Sequence, residues 1–185
     1  LGFDSFKCGE DMDVPQTEEH GYVSDDSDFE QIIWEFEHKD ESTPLFLFNV
    51  TIQNHGSYTV EDYPAEVQLA DEPGAYPKAE QYLTLANKTD EAFKKLIDYF
   101  SAQTEPTILV MFGDHQPSVE QEFLDKAYGV TQDEMTMAQY MDKFKVPFII
   151  WANYPLTSDS TKVTSLNFLA QYVLRNAGIE TSAYG

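Results

Sequence analysis

The stretch Thr107-Ile108-Leu109-Val110-Met111-Phe112-Gly113-Asp114-His115 decides how the rest of the chain is read. A short, uninterrupted apolar run stopped by a glycine reads as a strand buried on both faces, the kind found inside a parallel sheet. Ligands of an open parallel sheet sit outside the carboxyl ends of its strands. Asp114 and His115 stand at that place. Neighbouring side chains of a regular strand point to opposite faces, so the two can serve one ion only where the strand dissolves into a loop. Gly113 provides the break. A carboxylate oxygen beside an imidazole nitrogen suits Mn²⁺, Zn²⁺ or Mg²⁺. An Asp capping the next helix, with a His packed nearby, accounts for the same dipeptide.

Upstream, Leu45-Phe46-Leu47-Phe48-Asn49-Val50-Thr51-Ile52 follows Pro44 and reads as a second buried strand. It ends in Gln53-Asn54-His55-Gly56-Ser57. If the two strands are neighbours, about 5 Å apart, the His55 imidazole reaches a group bound on the metal. Between them, Lys78 to Phe100 carries Tyr82, Leu85, Ala86, Phe93, Leu96, Ile97 and Phe100 at helical spacing. Strand, helix and strand in this order imply a right-handed parallel crossover. Gly56 to Pro77 reads as a surface excursion of loop and short strands.

Downstream, Val146-Pro147-Phe148-Ile149-Ile150-Trp151 reads as a third buried strand, and a last helix runs from about Thr164 to a glycine stop at Ala177-Gly178. Ser118 to Gln121 and Thr131 to Glu134 have capping-box spacing. So does Ser27-Asp28-Phe29-Glu30, and Phe29, Ile32, Ile33 and Phe36 then predict a helix from about Asp28 to Glu37. Asp25, Asp26 and Asp28 suit its N-terminus. The whole reads as one α/β unit, a mostly parallel sheet flanked by helices, over residues 1–185.

The chain has 185 residues, 33 acidic and 11 basic, and a formal charge of −22. A surface this negative repels phosphate backbones and excludes nucleic acid as a partner. Arg175 is the single arginine, so recognition of a phosphate or sulfate must lean on something other than a guanidinium fork, and a metal ion is the obvious substitute. A lone cysteine, Cys8, excludes an internal disulfide and reads as an incidental thiol. His20 and His38 lie in an acidic, exposed-looking segment and are given no role. No run approaches the ~20 apolar residues of a membrane span. The opening residues carry neither methionine nor a basic-then-apolar leader, so the chain is expected to be an excised piece of a longer polypeptide.

Four blocks carry a family resemblance: Phe46 to His55, Ile108 to His115, Val146 to Trp151, and Ala177-Gly178-Ile179. In this order and spacing, with the opening Leu1-Gly2-Phe3-Asp4-Ser5-Phe6, they resemble the second half of the lipoteichoic acid synthase group of the sulfatase and alkaline phosphatase superfamily. The resemblance implies an alkaline phosphatase/sulfatase-like α/β fold, present as the C-terminal part of a catalytic domain. It implies metal ligation by Asp114 and His115, with Mn²⁺ or Mg²⁺ the usual ion, and contact of His55 with the phosphoglycerol group or its phosphate. The nucleophilic threonine, an acidic metal ligand and a substrate-binding arginine come earlier in the family than the segment resembling Leu1-Gly2-Phe3, so this chain alone is expected to be inactive. Gln116-Pro117 departs from the tyrosine that often follows Gly-Asp-His in the family.

The resemblance further implies a lipid-linked or polymeric anionic ester as substrate, the rest of the catalytic domain as partner, and membrane attachment through N-terminal helices at the extracellular face of a bacterial cell membrane. Two other readings stand beside the transferase. One is a sulfatase or phosphodiesterase hydrolase with the same metal ligands. The other is a non-catalytic acidic domain that binds cations or a surface partner.

Overall fold

The computed structural model describes residues 2–156 and 163–180; Leu1, which opens the first family-like segment, lies outside them. In chain order the elements are β1 (Glu18–Glu19), β2 (Tyr22–Val23), α1 (Asp25–His38), α2 (Pro77–Ser101), β3 (Ile108–Phe112), α3 (Gln121–Tyr128), α4 (Met137–Asp142), β4 (Phe148–Ala152) and α5 (Leu169–Asn176). They fall into two compact units. The first holds Leu1–Tyr99 and Pro117–Tyr140, the second Phe100–Gln116 and Met141–Gly185.

In the first unit, β1 and β2 form an antiparallel hairpin turning at His20-Gly21, both with positive φ (37° and 91°). That pair of left-handed residues is what a two-residue hairpin with the sheet's own twist requires. Ser24 follows at once in extended conformation and caps α1, its side chain accepting from the Ser27 N–H. The helix therefore starts a turn earlier than Ser27 predicted. Asp25, Asp26 and Asp28 do fall in its first turn.

α2 matches its expected span within a residue at each end. Its buried apolar residues in this unit, Ala79, Leu85, Ala92, Phe93 and Leu96, belong to the core with Phe29 of α1. The Phe93 and Phe29 rings meet edge to face with centroids 6.2 Å apart. α2 also buries polar residues, and these organise the loop before it. Glu80 accepts from the Leu69 and Gly74 amides at 3.0 and 2.9 Å, and the Thr84 hydroxyl accepts from Val67 N–H at 3.1 Å. Residues 56–76 thus need no strands of their own: their backbone groups find partners on a helix face.

The run from Leu45 to Ile52 is extended but joins no strand ladder among the described residues. Phe46, Phe48 and Val50 are 76%, 60% and 75% exposed, so the expected strand buried on both faces is not found. Phe46 stacks on Phe3, and the Asn49 amide donates to the Asp28 carboxylate. An apolar run reports a preference for burial and cannot supply the neighbours that bury it.

In the second unit β3 and β4 lie where they were expected, but they pair antiparallel, Ile108 opposite Ala152 and Phe112 opposite Phe148. The pair is thus not parallel, and the right-handed crossover expected between the Leu45–Ile52 run and β3 is not found among the described residues, because that run joins no ladder. The reason for the antiparallel pairing is the connection. Gly113 N–H donates to Pro147 O at 3.1 Å, so the chain leaves β3 and enters β4 at the same end. Asn153, just past β4, bonds the carbonyls of Phe100, Gln103 and Glu105 and closes the other end. α5 ends as expected, with Gly178 at φ +70° after the Ala177 cap. Helices and strands are mixed along the chain, as the expected α/β class requires.

Candidate functional site

The second unit brings Asp114 and His115 together. A Cβ on Gly113 would lie 3.3 Å from Val146 Cβ, so the absence of a side chain lets the backbone pass close to the β4 entry. Asp114 Oδ1 accepts from the His115 N–H at 2.8 Å. His115 Nδ1 lies 2.9 Å from the carbonyl of Gln116. A carbonyl only accepts, so Nδ1 carries the proton and Nε2 keeps the lone pair that a metal needs. That Nε2 is 3.5 Å from Asp114 Oδ2, and both side chains are largely exposed. Two donors on one ion at bond lengths near 2.1 Å are about 3.0 Å apart at the right angle of an octahedral site and about 3.4 Å apart at a tetrahedral angle. The pair is thus spaced as two ligands of a single cation. Among the described residues no group of three or more His, Cys, Asp and Glu could hold a metal.

The first unit carries His55, exposed, on a turn closed by its own N–H donating to Ile52 O at 2.9 Å. Its Nδ1 lies 2.7 Å from the Gly56 carbonyl and 3.5 Å from the Tyr22 hydroxyl, and the Tyr22 ring stands edge-on at 5.7 Å. The same reasoning as for His115 places the proton on Nδ1 and leaves the lone pair on Nε2.

Residues given no role on sequence alone support this turn. His20 Nε2 donates to the Gln53 carbonyl at 2.8 Å, and its ring packs among Tyr22, Tyr58 and Tyr63. The Tyr58 hydroxyl donates to Asn54 O at 2.8 Å. Asp25 is fully buried. Burial pushes its carboxyl up to about 6, against the opposing hydrogen bond from Thr89. Sequence held one hint of this: His20-Gly21 ahead of the β-prone pair Tyr22-Val23 suits a tight turn. His38, by contrast, stacks on Trp34 at 4.0 Å and bonds its carbonyl, a packing role in keeping with its omission.

A family model described as Sulfatase matches residues 1–179. Two Rhizobium meliloti proteins are similar in sequence. The chain is 28% identical over all of its length to 29% of a putative cyclic beta-1,2-glucan modification protein. It is 28% identical over 63% of its length to 20% of the capsular polysaccharide biosynthesis protein RkpI. Among solved structures, Streptococcus pyogenes phosphoglycerol transferase GacH, in complex with sn-glycerol-1-phosphate, superposes with a TM-score of 0.71 at 18% identity, over 91% of this chain and 41% of that one. The chain therefore spans less than half the length of these relatives. The likeness to GacH is a likeness of fold, and it is the sulfatase/alkaline phosphatase-like α/β fold that the four sequence blocks implied, present as a partial domain. By its matching family model, this chain belongs to the sulfatase family.

Proposed function

We propose that the chain is the C-terminal part of the catalytic domain of a metal-dependent phosphoglycerol transferase of the lipoteichoic acid synthase type, acting at the extracellular face of a bacterial membrane. The observation that carries this reading is the convergence of Asp114 Oδ2 and His115 Nε2 to 3.5 Å in a chain matched to the sulfatase family over residues 1–179. Asp114 and His115 would hold Mn²⁺ or Mg²⁺. When bound, such an ion supplies Lewis-acid stabilisation of charge on phosphoryl oxygens and lowers the pKa of a coordinated hydroxyl. The Gln116 carbonyl keeps His115 in the ligating tautomer. His55 presents Nε2 to the transferred group, where a protonated nitrogen donates to a phosphoryl oxygen and orients the ester. The attacking hydroxyl comes from polypeptide outside this chain, which also supplies the partner surface for Phe46, Phe48 and Val50 and any membrane anchor. The substrate is a lipid-linked or polymeric anionic ester.

The experiment is substitution in the full-length polypeptide. Asp114→Ala and His115→Ala are each expected to lower phosphoglycerol transfer by at least ~10³-fold, since each removes part of the charge stabilisation. Transfer at wild-type rates in either variant defeats the assignment. A hydrolase of the same superfamily is the second reading, favoured by the family model's own description. Assay of sulfate and phosphodiester release by the same preparation separates the two.

A further inference from the structure

The turn that carries His55 is held by more buried polar contacts than a surface turn needs. Gln53 and Thr89 are 2% and 6% exposed, and Asp25 is fully buried. Gln53 Oε1 accepts from Asp25 N–H at 3.0 Å, while its Nε2 donates to Leu85 O at 3.2 Å and to Thr89 Oγ1 at 3.1 Å. Asn54 Nδ2 donates to the same Oγ1 at 2.7 Å. A threonine hydroxyl has one proton and two lone pairs. Both lone pairs are taken by the turn's two amides, so the proton must go elsewhere: Asp25 Oδ2 lies at 2.5 Å and the Leu85 carbonyl at 3.2 Å, and the shorter, charged contact takes it. The carboxylate, an acceptor only, thus fixes which way the Thr89 hydroxyl points. Burying the polar side chains of Gln53, Thr89 and Asp25 behind one turn costs desolvation that a plain loop avoids. It is explained if the turn must be rigid.

We propose that Thr89 is a positioning residue for His55: its hydroxyl, oriented by the Asp25 carboxylate, locks Gln53 and Asn54 and so sets where the imidazole stands. The proposal rests on the reading of His55 as a substrate contact, and its test separates the two. Thr89→Val in the full-length polypeptide keeps the shape and removes the hub. Expected is faster amide hydrogen exchange, by ~10-fold or more, in the segment 52–56 that holds the turn, with α1 and the rest of α2 protected as before. Transfer of phosphoglycerol is expected to lose at least ~10-fold in kcat with KM little changed, and Thr89→Ser to restore both measurements. Wild-type exchange across 52–56 in Thr89→Val overturns the proposal, and so does failure of Thr89→Ser to restore it. If Thr89→Val does not fold, Asn54→Ala removes only the turn's side of the contact and must show the same local acceleration; unchanged exchange there also overturns it. Wild-type transfer by His55→Ala defeats the substrate-contact reading, while the exchange measurements still decide the role of Thr89.

Discussion

Asp25 sets the pH behaviour of the first unit. Its folded-state pKa of about 6 lies above the ordinary 3.8 because burial disfavours the charged form. The folded chain therefore binds the proton more tightly than the unfolded chain, and this group favours folding increasingly as pH falls from about 6 toward about 4. Above that window the buried charge weighs against the fold by about 3 kcal/mol. Asp25→Asn is expected to match or exceed the wild type in thermal stability at neutral pH, and to flatten the rise in Tm on acidification. A wild-type slope in the variant, by scanning calorimetry across this window, contradicts the burial effect. At the same scale, Asp114 and His115 were legible because two ligand types adjoin a glycine stop. Asp25 was legible as a helix-N-terminal acid and no more: nothing local marks which of Asp25, Asp26 and Asp28 faces inward, since Gln53 and Thr89, which decide it, lie 28 and 64 residues away.

At the scale of elements, α2 and the two strands of the second unit were readable because a single periodicity runs through each. α1 was misplaced at its start because Ser24 and Ser27 both head cap-like tetrads, and the hairpin ahead of Ser24 settles which one caps. Strand direction was not readable at all. Ile108–Phe112 and Phe148–Ala152 have the same apolar content in either orientation, and only the return of the chain at Gly113 and Pro147 makes them antiparallel. That return gives a test. Gly113→Ala puts a Cβ 3.3 Å from Val146 Cβ and is expected to cost about 1–3 kcal/mol. The double variant Gly113→Ala, Val146→Gly should then be less unstable than the sum of its single changes. Strict additivity in chemical unfolding rules out the contact as the cause.

For the whole molecule, the charge of −22 keeps copies apart, while the exposed Phe46, Phe48 and Val50 draw them together. Salt screens the first force more than the second. Raising ionic strength is therefore expected to increase association of the isolated 185-residue chain, and Phe46→Ser with Phe48→Ser to suppress it, as read by sedimentation velocity. Unchanged association in the double variant places the sticky surface elsewhere. With two converging candidate ligands in this chain, calorimetric titration with Mn²⁺ is expected to show weak binding that Asp114→Ala abolishes. Full-affinity binding by the isolated chain contradicts an incomplete coordination sphere.

Both candidate imidazoles take their Nδ1 tether from the main chain one residue on, at Gly56 and Gln116. Every amino acid carries that same oxygen, so selection acting on the tautomer has no side chain to hold constant at either position. The glutamine side chain at 116 is then ornament on a support that any residue would supply. Side-chain scanning at 56 and 116 would leave the tautomer intact, and only a backbone amide-to-ester exchange, which weakens the carbonyl itself, would expose what those two positions do.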